Sequence, residues 1–332
     1  MVFLSTLQQV AILLIFILIG YFLRKKEIIN DSGKKVLAGL LVNLFSPAYA
    51  ISSLSQQLSI SQIAKYGVYF LSGTALTLFL IFLALPFAKA LGKNKLYRNI
   101  LKYAFAFGNI GYFGYPVVGA VFGEATKALM ILFCIPMSVG INTYGYTVLT
   151  ERVDGDALNE QLSQKISLKT KLRFLYSAPF IGMMIGVLIG LLPITLPGFF
   201  INLFDLAGNC QSATAMLLTG AVLAGVPFLK LFTSVKPYII GIIRLLVLPV
   251  IVGSLLYLVH IFGARGELFQ TIFRLSVIVS AMPVCKNTVV YPESCGMDST
   301  EGAKSCFISY VLALGALPLV FMLVETLSAN MI

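Results

Sequence analysis

Two short polar stretches sit inside long apolar runs of this 332-residue chain. The first is Gly108-Asn109-Ile110-Gly111-Tyr112-Phe113-Gly114-Tyr115-Pro116. The second is Ser280-Ala281-Met282-Pro283-Val284-Cys285-Lys286-Asn287-Thr288. Each combines a proline, which cannot donate a backbone N–H, with residues able to hydrogen-bond. A helix unwound at such a place frees backbone groups that water, an ion or a substrate must satisfy. Asn109 offers an amide that both donates and accepts. Gly111 and its neighbouring glycines remove side chains and loosen the backbone. The alternative for this first stretch is a kinked helix whose glycines serve packing.

Lys286 carries the strongest chemical signal. A lysine near the bilayer centre costs about 2.5–3.5 kcal/mol on insertion scales. It therefore needs a partner, water or a changed protonation state. It could attract a carboxylate, or stand in a cation site and couple transport to protons. The bland readings are a pair with a structural acid, or snorkelling to the cytoplasmic side. Asn287 and Thr288 add neutral hydrogen bonds beside it. Asn142 and Tyr146, four residues apart, share one helix face. They line a cavity or bond between helices. Ser46, Ser52 and Ser53 around Pro47 form a weaker polar stretch, as do Asn209, Gln211 and Ser212. Asp205, Arg244 and Arg274 are further charges in apolar surroundings that need partners. For Arg244 the favoured expectation is a structural ion pair.

These residues must be held by membrane helices. The chain is 58% hydrophobic and 11% charged, beyond what a soluble core uses. Its apolar runs approach or exceed the roughly 20 residues that span a bilayer. With no water in the bilayer core, such runs are helices. Ten are expected, at 3–23, 35–55, 63–88, 98–122, 125–150, 172–192, 199–226, 236–262, 267–292 and 302–327. Eighteen Lys and Arg fall in or beside connections after odd-numbered segments and three after even-numbered ones. The positive-inside rule then puts both termini outside the cytoplasm. The first run has its charges after it, at Arg24, Lys25 and Lys26, and does not read as a cleavable signal peptide.

The longest polar connection divides the chain into a first five-helix repeat (1–150), a cytoplasmic linker (151–171) and a second five-helix repeat (172–332). An odd number of helices per half gives the halves opposite orientation, an inverted repeat. Interrupted helices in matching positions, segments four and nine, point to a carrier's binding site. The net charge of +11 belongs to topology and anionic lipid rather than nucleic acid. Five cysteines give neither a disulfide framework nor a zinc site. His260 has no expected partner. No G-x-S-x-G, H-E-x-x-H or Walker A sequence is present, which speaks against an enzyme or a primary pump. Gly182, Gly186 and Gly190 give two G-x-x-x-G steps, for close packing within the scaffold or between subunits.

The chain resembles the auxin efflux carrier family. The resemblance rests on Asn109 to Pro116 followed by Gly123, on Arg244-Leu-Leu-Val-Leu-Pro249, and on Ala281-Met282-Pro283 with Asn287-Thr288. Gly296, Leu317-Pro318 and Asp205-Leu206-Ala207-Gly208 also fit. It implies an all-α integral membrane fold of ten helices in two inverted five-helix repeats, related to bile-acid symporters. Segments one, two, six and seven would form a scaffold and a homodimer interface. The other six would move as an elevator, with substrate bound where segments four and nine cross. Family substrates are small organic anions: auxins in plants, dicarboxylates such as malate or malonate in bacteria. By matching position, Asn109, Pro116, Asn142, Tyr146 and Pro283 would line the site. Lys286 departs from the small or neutral residue expected there, which weighs against sodium dependence. The expectation is a secondary carrier of small organic anions in the plasma (inner) membrane, with no cofactor and coupling to protons or sodium. The alternatives are a sodium-coupled bile-acid-type symporter and a ligand sensor that does not transport.

Overall fold

The computed structural model describes residues 2–151, 173–192, 196–329 and 331. The expected linker, apart from Glu151, lies outside the described residues. The described chain is helical, with no strand among its elements. The helices used below are α1 (Val2–Lys25), α2 (Asp31–Gln56), α3 (Ile60–Leu91), α4 (Lys95–Ala106), α5 (Tyr115–Gly140), α6 (Ala178–Leu191), α7 (Gly198–Leu223), α8 (Val235–Ile261), α9 (Glu267–Ser280), α10 (Asn287–Ser294) and α11 (Thr300–Ala329). Among the described residues, five stretches are long and apolar enough to cross a membrane: Asp31–Gln56, Tyr66–Leu91, Ala125–Thr150, Val235–Ile261 and Thr300–Ala329. Their outward faces carry large apolar side chains such as Leu71, Phe82, Val250 and Leu319. Such faces suit lipid and would be costly in water.

Local sequence sets the helix ends. Asn30 and Asn94 precede α2 and α4, and each side-chain oxygen accepts a first-turn N–H, from Gly33 and Tyr97, both at 2.8 Å. That satisfies one of the donors every helix start leaves open. Prolines loosen the ladder instead of ending it. Pro47, Pro116 and Pro249 each follow a one-turn π-helix, at Leu41–Phe45, Ile110–Gly114 and Ile243–Val247. A proline ring clashes with the carbonyl four residues back and offers it no N–H. The turn before it widens, so that Ser46, Tyr115 and Leu248 donate five residues back. A fourth π-turn, Ile141–Gly145, has no proline after it.

Glycines set how closely helices approach. Gly182, Gly186 and Gly190 of α6 face α2, where added Cβ atoms would collide with Pro47, Ala50 and Leu54. These steps therefore pack helices within one chain. Gly20 of α1 faces Leu217 of α7, and Gly220 of α7 faces Ile17 of α1. Helices α1, α2, α6 and α7 thus form one group. A second close contact joins α3 to α5 through Gly73 and Phe133.

Segments four and nine are both broken. After α4 the backbone extends at Phe107 (φ −123°, ψ 121°). Gly108 forms an isolated antiparallel bridge with Val284, in the break between α9 and α10. The N–H of Asn109 donates to Pro283 O at 2.9 Å. The half-helices that follow end alike: Gly123 (φ 84°) kinks α5, and Gly296 (φ 70°) lies just beyond α10. These left-handed conformations favour glycine. One expectation is corrected here. Pro116 does not make the break, which falls at residues 107–109; it is the second residue of α5.

Candidate functional site

Beside the two breaks lies a cavity of about 780 Å³ of atom-free space including its mouth. One wall comes from α2, α6 and α7, through Ser46, Tyr49, Ser53, Met183 and Gln211. The other comes from the two breaks and the neighbouring helix, through Asn109, Gly111, Asn142, Lys286, Asn287 and Tyr291. The site therefore lies between the α1, α2, α6 and α7 group and the crossing.

The structure brings together Asn109, Gly111, Asn142, Lys286 and Asn287 from distant parts of the sequence. Asn109 is buried and its amide donates to the Tyr310 hydroxyl. Gly111 lies under the Tyr49 hydroxyl, so a side chain there would crowd it. The Asn142 amide donates to Ser138 O at 2.9 Å and accepts from the Tyr291 hydroxyl at 3.0 Å. The Asn287 amide donates to the Tyr103 hydroxyl at 3.1 Å. Each amide is thus oriented by a second residue, which fixes the polar wall of the cavity.

Four expected residues stand behind that wall. Tyr146 packs edge-on against Tyr291, with ring centroids 5.1 Å apart. Pro283 contributes the carbonyl that receives Asn109. Thr288 is fully buried and its hydroxyl donates to Cys285 O at 2.9 Å. Ser52 donates to Asp205 and so ties α2 to α7, with Gln56 at 3.4 Å from the same oxygen. The side chain of Pro116 lies outside the described residues. Tyr49, Ser138 and Tyr291 line the cavity without having been singled out, and Tyr115 and Cys285 line it from within the two polar stretches. Four-residue spacing was a usable signal for Ser138, one turn before Asn142. Tyr49 and Tyr291 sit in apolar runs, where such residues read as core.

Among the described lining residues, Lys286 is the charged one, and no carboxylate is present. Lys286 is also the N-cap of α10 and is 2% exposed. Asn109 likewise precedes the half-helix that resumes at Ile110. Two helix N-termini, each carrying partial positive charge, therefore begin at the cavity wall together with a lysine. That combination attracts anions.

Arg244 is a correction. It is fully buried, and among the described residues no acid pairs with it. Its guanidinium donates to three carbonyls instead: Phe105 O at 2.7 Å, Met282 O at 2.8 Å and Val279 O at 3.4 Å. Arg274 donates to the Ser328 hydroxyl at 2.7 Å, and His260 contacts Ala264 O at 3.0 Å at the end of α8.

The family model described as membrane transport protein matches residues 5–321. The chain belongs to this family, that of the auxin efflux carriers. Its apolar spans suit a multi-pass member of this family of membrane transport proteins. An uncharacterized transporter of Methanocaldococcus jannaschii is 33% identical to this auxin efflux carrier family member over 135 residues. The matched stretch covers 39% of this chain and 42% of that protein, so less than half of either.

Proposed function

We propose that this protein is a secondary carrier of small organic anions, mono- or dicarboxylates of the size of malate or malonate. The observation that carries the proposal is the charge of the cavity. A lysine and two helix N-termini meet there, so positive charge gathers on the wall that faces the cavity. A ligand carboxylate is drawn to that positive wall. Asparagine amides and tyrosine hydroxyls then fix its orientation.

The proposed architecture is ten spans in two inverted repeats, residues 1–150 and 172–332. Support comes from the paired breaks at 107–109 and 281–286, and from the glycines that close both half-helices. Alternating access would be of elevator type. The α1, α2, α6 and α7 group stays fixed, and the crossing helices carry the site past it. The cavity's position between the two groups favours this over a pore through either one. The same four helices would form a homodimer, and both termini would face outward across the plasma membrane. The proton gradient is the proposed driving force. Ligand bias of such a cycle requires different affinities in its two end states.

The test is uptake into proteoliposomes of labelled mono- and dicarboxylates. Saturable uptake of one class, competed by unlabelled acid, is the expected result. Flux absent for every acid, from protein that still binds one of them, would make it a sensor instead.

A further inference from the structure

The C-terminal ends of α4 and α9 converge on Arg244. A helix end leaves its last carbonyls without donors and carries partial negative charge. At this crossing the shortage is sharpened twice. The N–H four residues after Phe105 belongs to Asn109, which gives it to Pro283. The residue four after Val279 is Pro283 itself, which has no N–H, so Val279 O receives instead a long bond from the Met282 N–H at 3.4 Å. Met282 lies in the link between the half-helices. Phe105, Val279 and Met282 therefore present three carbonyls to one point inside the membrane domain.

Carbonyls of unwound backbone and half-helix C-termini are where broken-helix carriers hold a coupling cation. Here Nη1, Nη2 and Nε of Arg244 take them, at 2.7, 3.4 and 2.8 Å. Room is made by Gly108, where a Cβ would run into the guanidinium and into Met282 Cβ. The bridge of Gly108 to Val284 brings the two breaks together over the same point. A metal ion could reach these carbonyls only by displacing a side chain that is 0% exposed.

We propose that Arg244 is a tethered cation filling the coupling-ion place at the crossing, so that this carrier works without sodium. The inference rests on the reading of the crossing as the transport site. A cation that never dissociates offers no difference in affinity between two states, and so cannot drive the cycle. Arg244 instead positions the ends of α4 and α9, and through the crossing the half-helices that begin beyond it at the anion cavity.

The experiment compares melting midpoints of the purified full chain in sodium chloride and in choline chloride at equal ionic strength, without substrate. Wild type is expected to melt at the same temperature in both. Arg244→Ala is expected to melt lower in choline and to gain a saturable, sodium-specific rise, because the vacated carbonyls accept the ion. A sodium-specific rise in wild type would overturn the proposal. So would a folded Arg244→Ala that gains none. Should Arg244→Ala not fold, the wild-type comparison still decides. The readout needs no transported substrate, so absence of carboxylate flux would strike the transport reading and leave this measurement intact.

Discussion

The backbone N–H of Asn109 donates to the carbonyl of Pro283 across 2.9 Å, joining two residues 174 positions apart. This bond holds the two helix breaks against each other. Its consequences run in both directions. Carbonyls on one side are left to Arg244, and on the other side helix N-termini begin the cavity wall.

Asn109 acts twice, through its backbone at the crossing and through its amide at the cavity. Asn109→Ala keeps the backbone bond and removes the amide. Loss of a buried polar contact of this kind costs about 1–3 kcal/mol, or roughly a 10- to 100-fold change. Uptake by Asn109→Ala should fall by that factor while the protein elutes as wild type on gel filtration. Wild-type uptake would remove Asn109 from the site.

The α6 glycines predict a stability effect with no direct effect on binding. Gly186→Leu forces a side chain against the Ala50 carbonyl and Ile51 of α2. Overpacking of this kind costs about 1–3 kcal/mol. The melting midpoint in detergent should drop clearly. An unchanged midpoint would mean that the α2–α6 contact is looser than described.

Glu151, just beyond the span Ala125–Thr150, makes a pH prediction. Burial raises its pKa, but hydrogen bonds from Lys95 at 2.9 Å and Asn99 at 3.0 Å prevail and hold it below 4.5. A depressed carboxylate stabilises the fold above its unfolded value and loses that effect as pH falls through the folded one. Wild type should therefore exceed Glu151→Gln in stability at pH 7. The partly exposed pair limits the gap to about 1 kcal/mol or less. Melting curves taken downward from pH 7 should show the gap closing below about pH 4.5. A gap that widens on acidification would contradict the assignment.

Much of this fold can be read from its residues. Apolar runs such as Tyr66–Leu91 have the length of a bilayer and so declare themselves. The two polar stretches mark both breaks, because glycine, proline and amides are conspicuous in such runs. The exact break near Asn109 is not legible, because the backbone bridge to Val284, not Pro116, decides it. Nor are the partners of Arg244: a charge suggests an opposite charge, whereas carbonyls gathered from two distant helix ends leave no local trace. Tyr49 and Tyr291 escape notice because a tyrosine in an apolar helix resembles ordinary core. Thr288 and Ser52 illustrate the converse, polar residues whose hydroxyls are satisfied away from the cavity.

The most direct test of the anion cavity is ligand binding by wild type and Lys286→Ala. A panel of mono- and dicarboxylates would be titrated while the melting midpoint of the purified protein is followed, since a ligand of the native state raises it in proportion to saturation. Loss of a charge-assisted contact leads to about 10- to 100-fold weaker binding in the variant. The account predicts a saturable rise with one class of carboxylate in wild type and a loss of affinity of that size in Lys286→Ala. A carboxylate that stabilises both proteins equally, or a panel that stabilises neither, would contradict it.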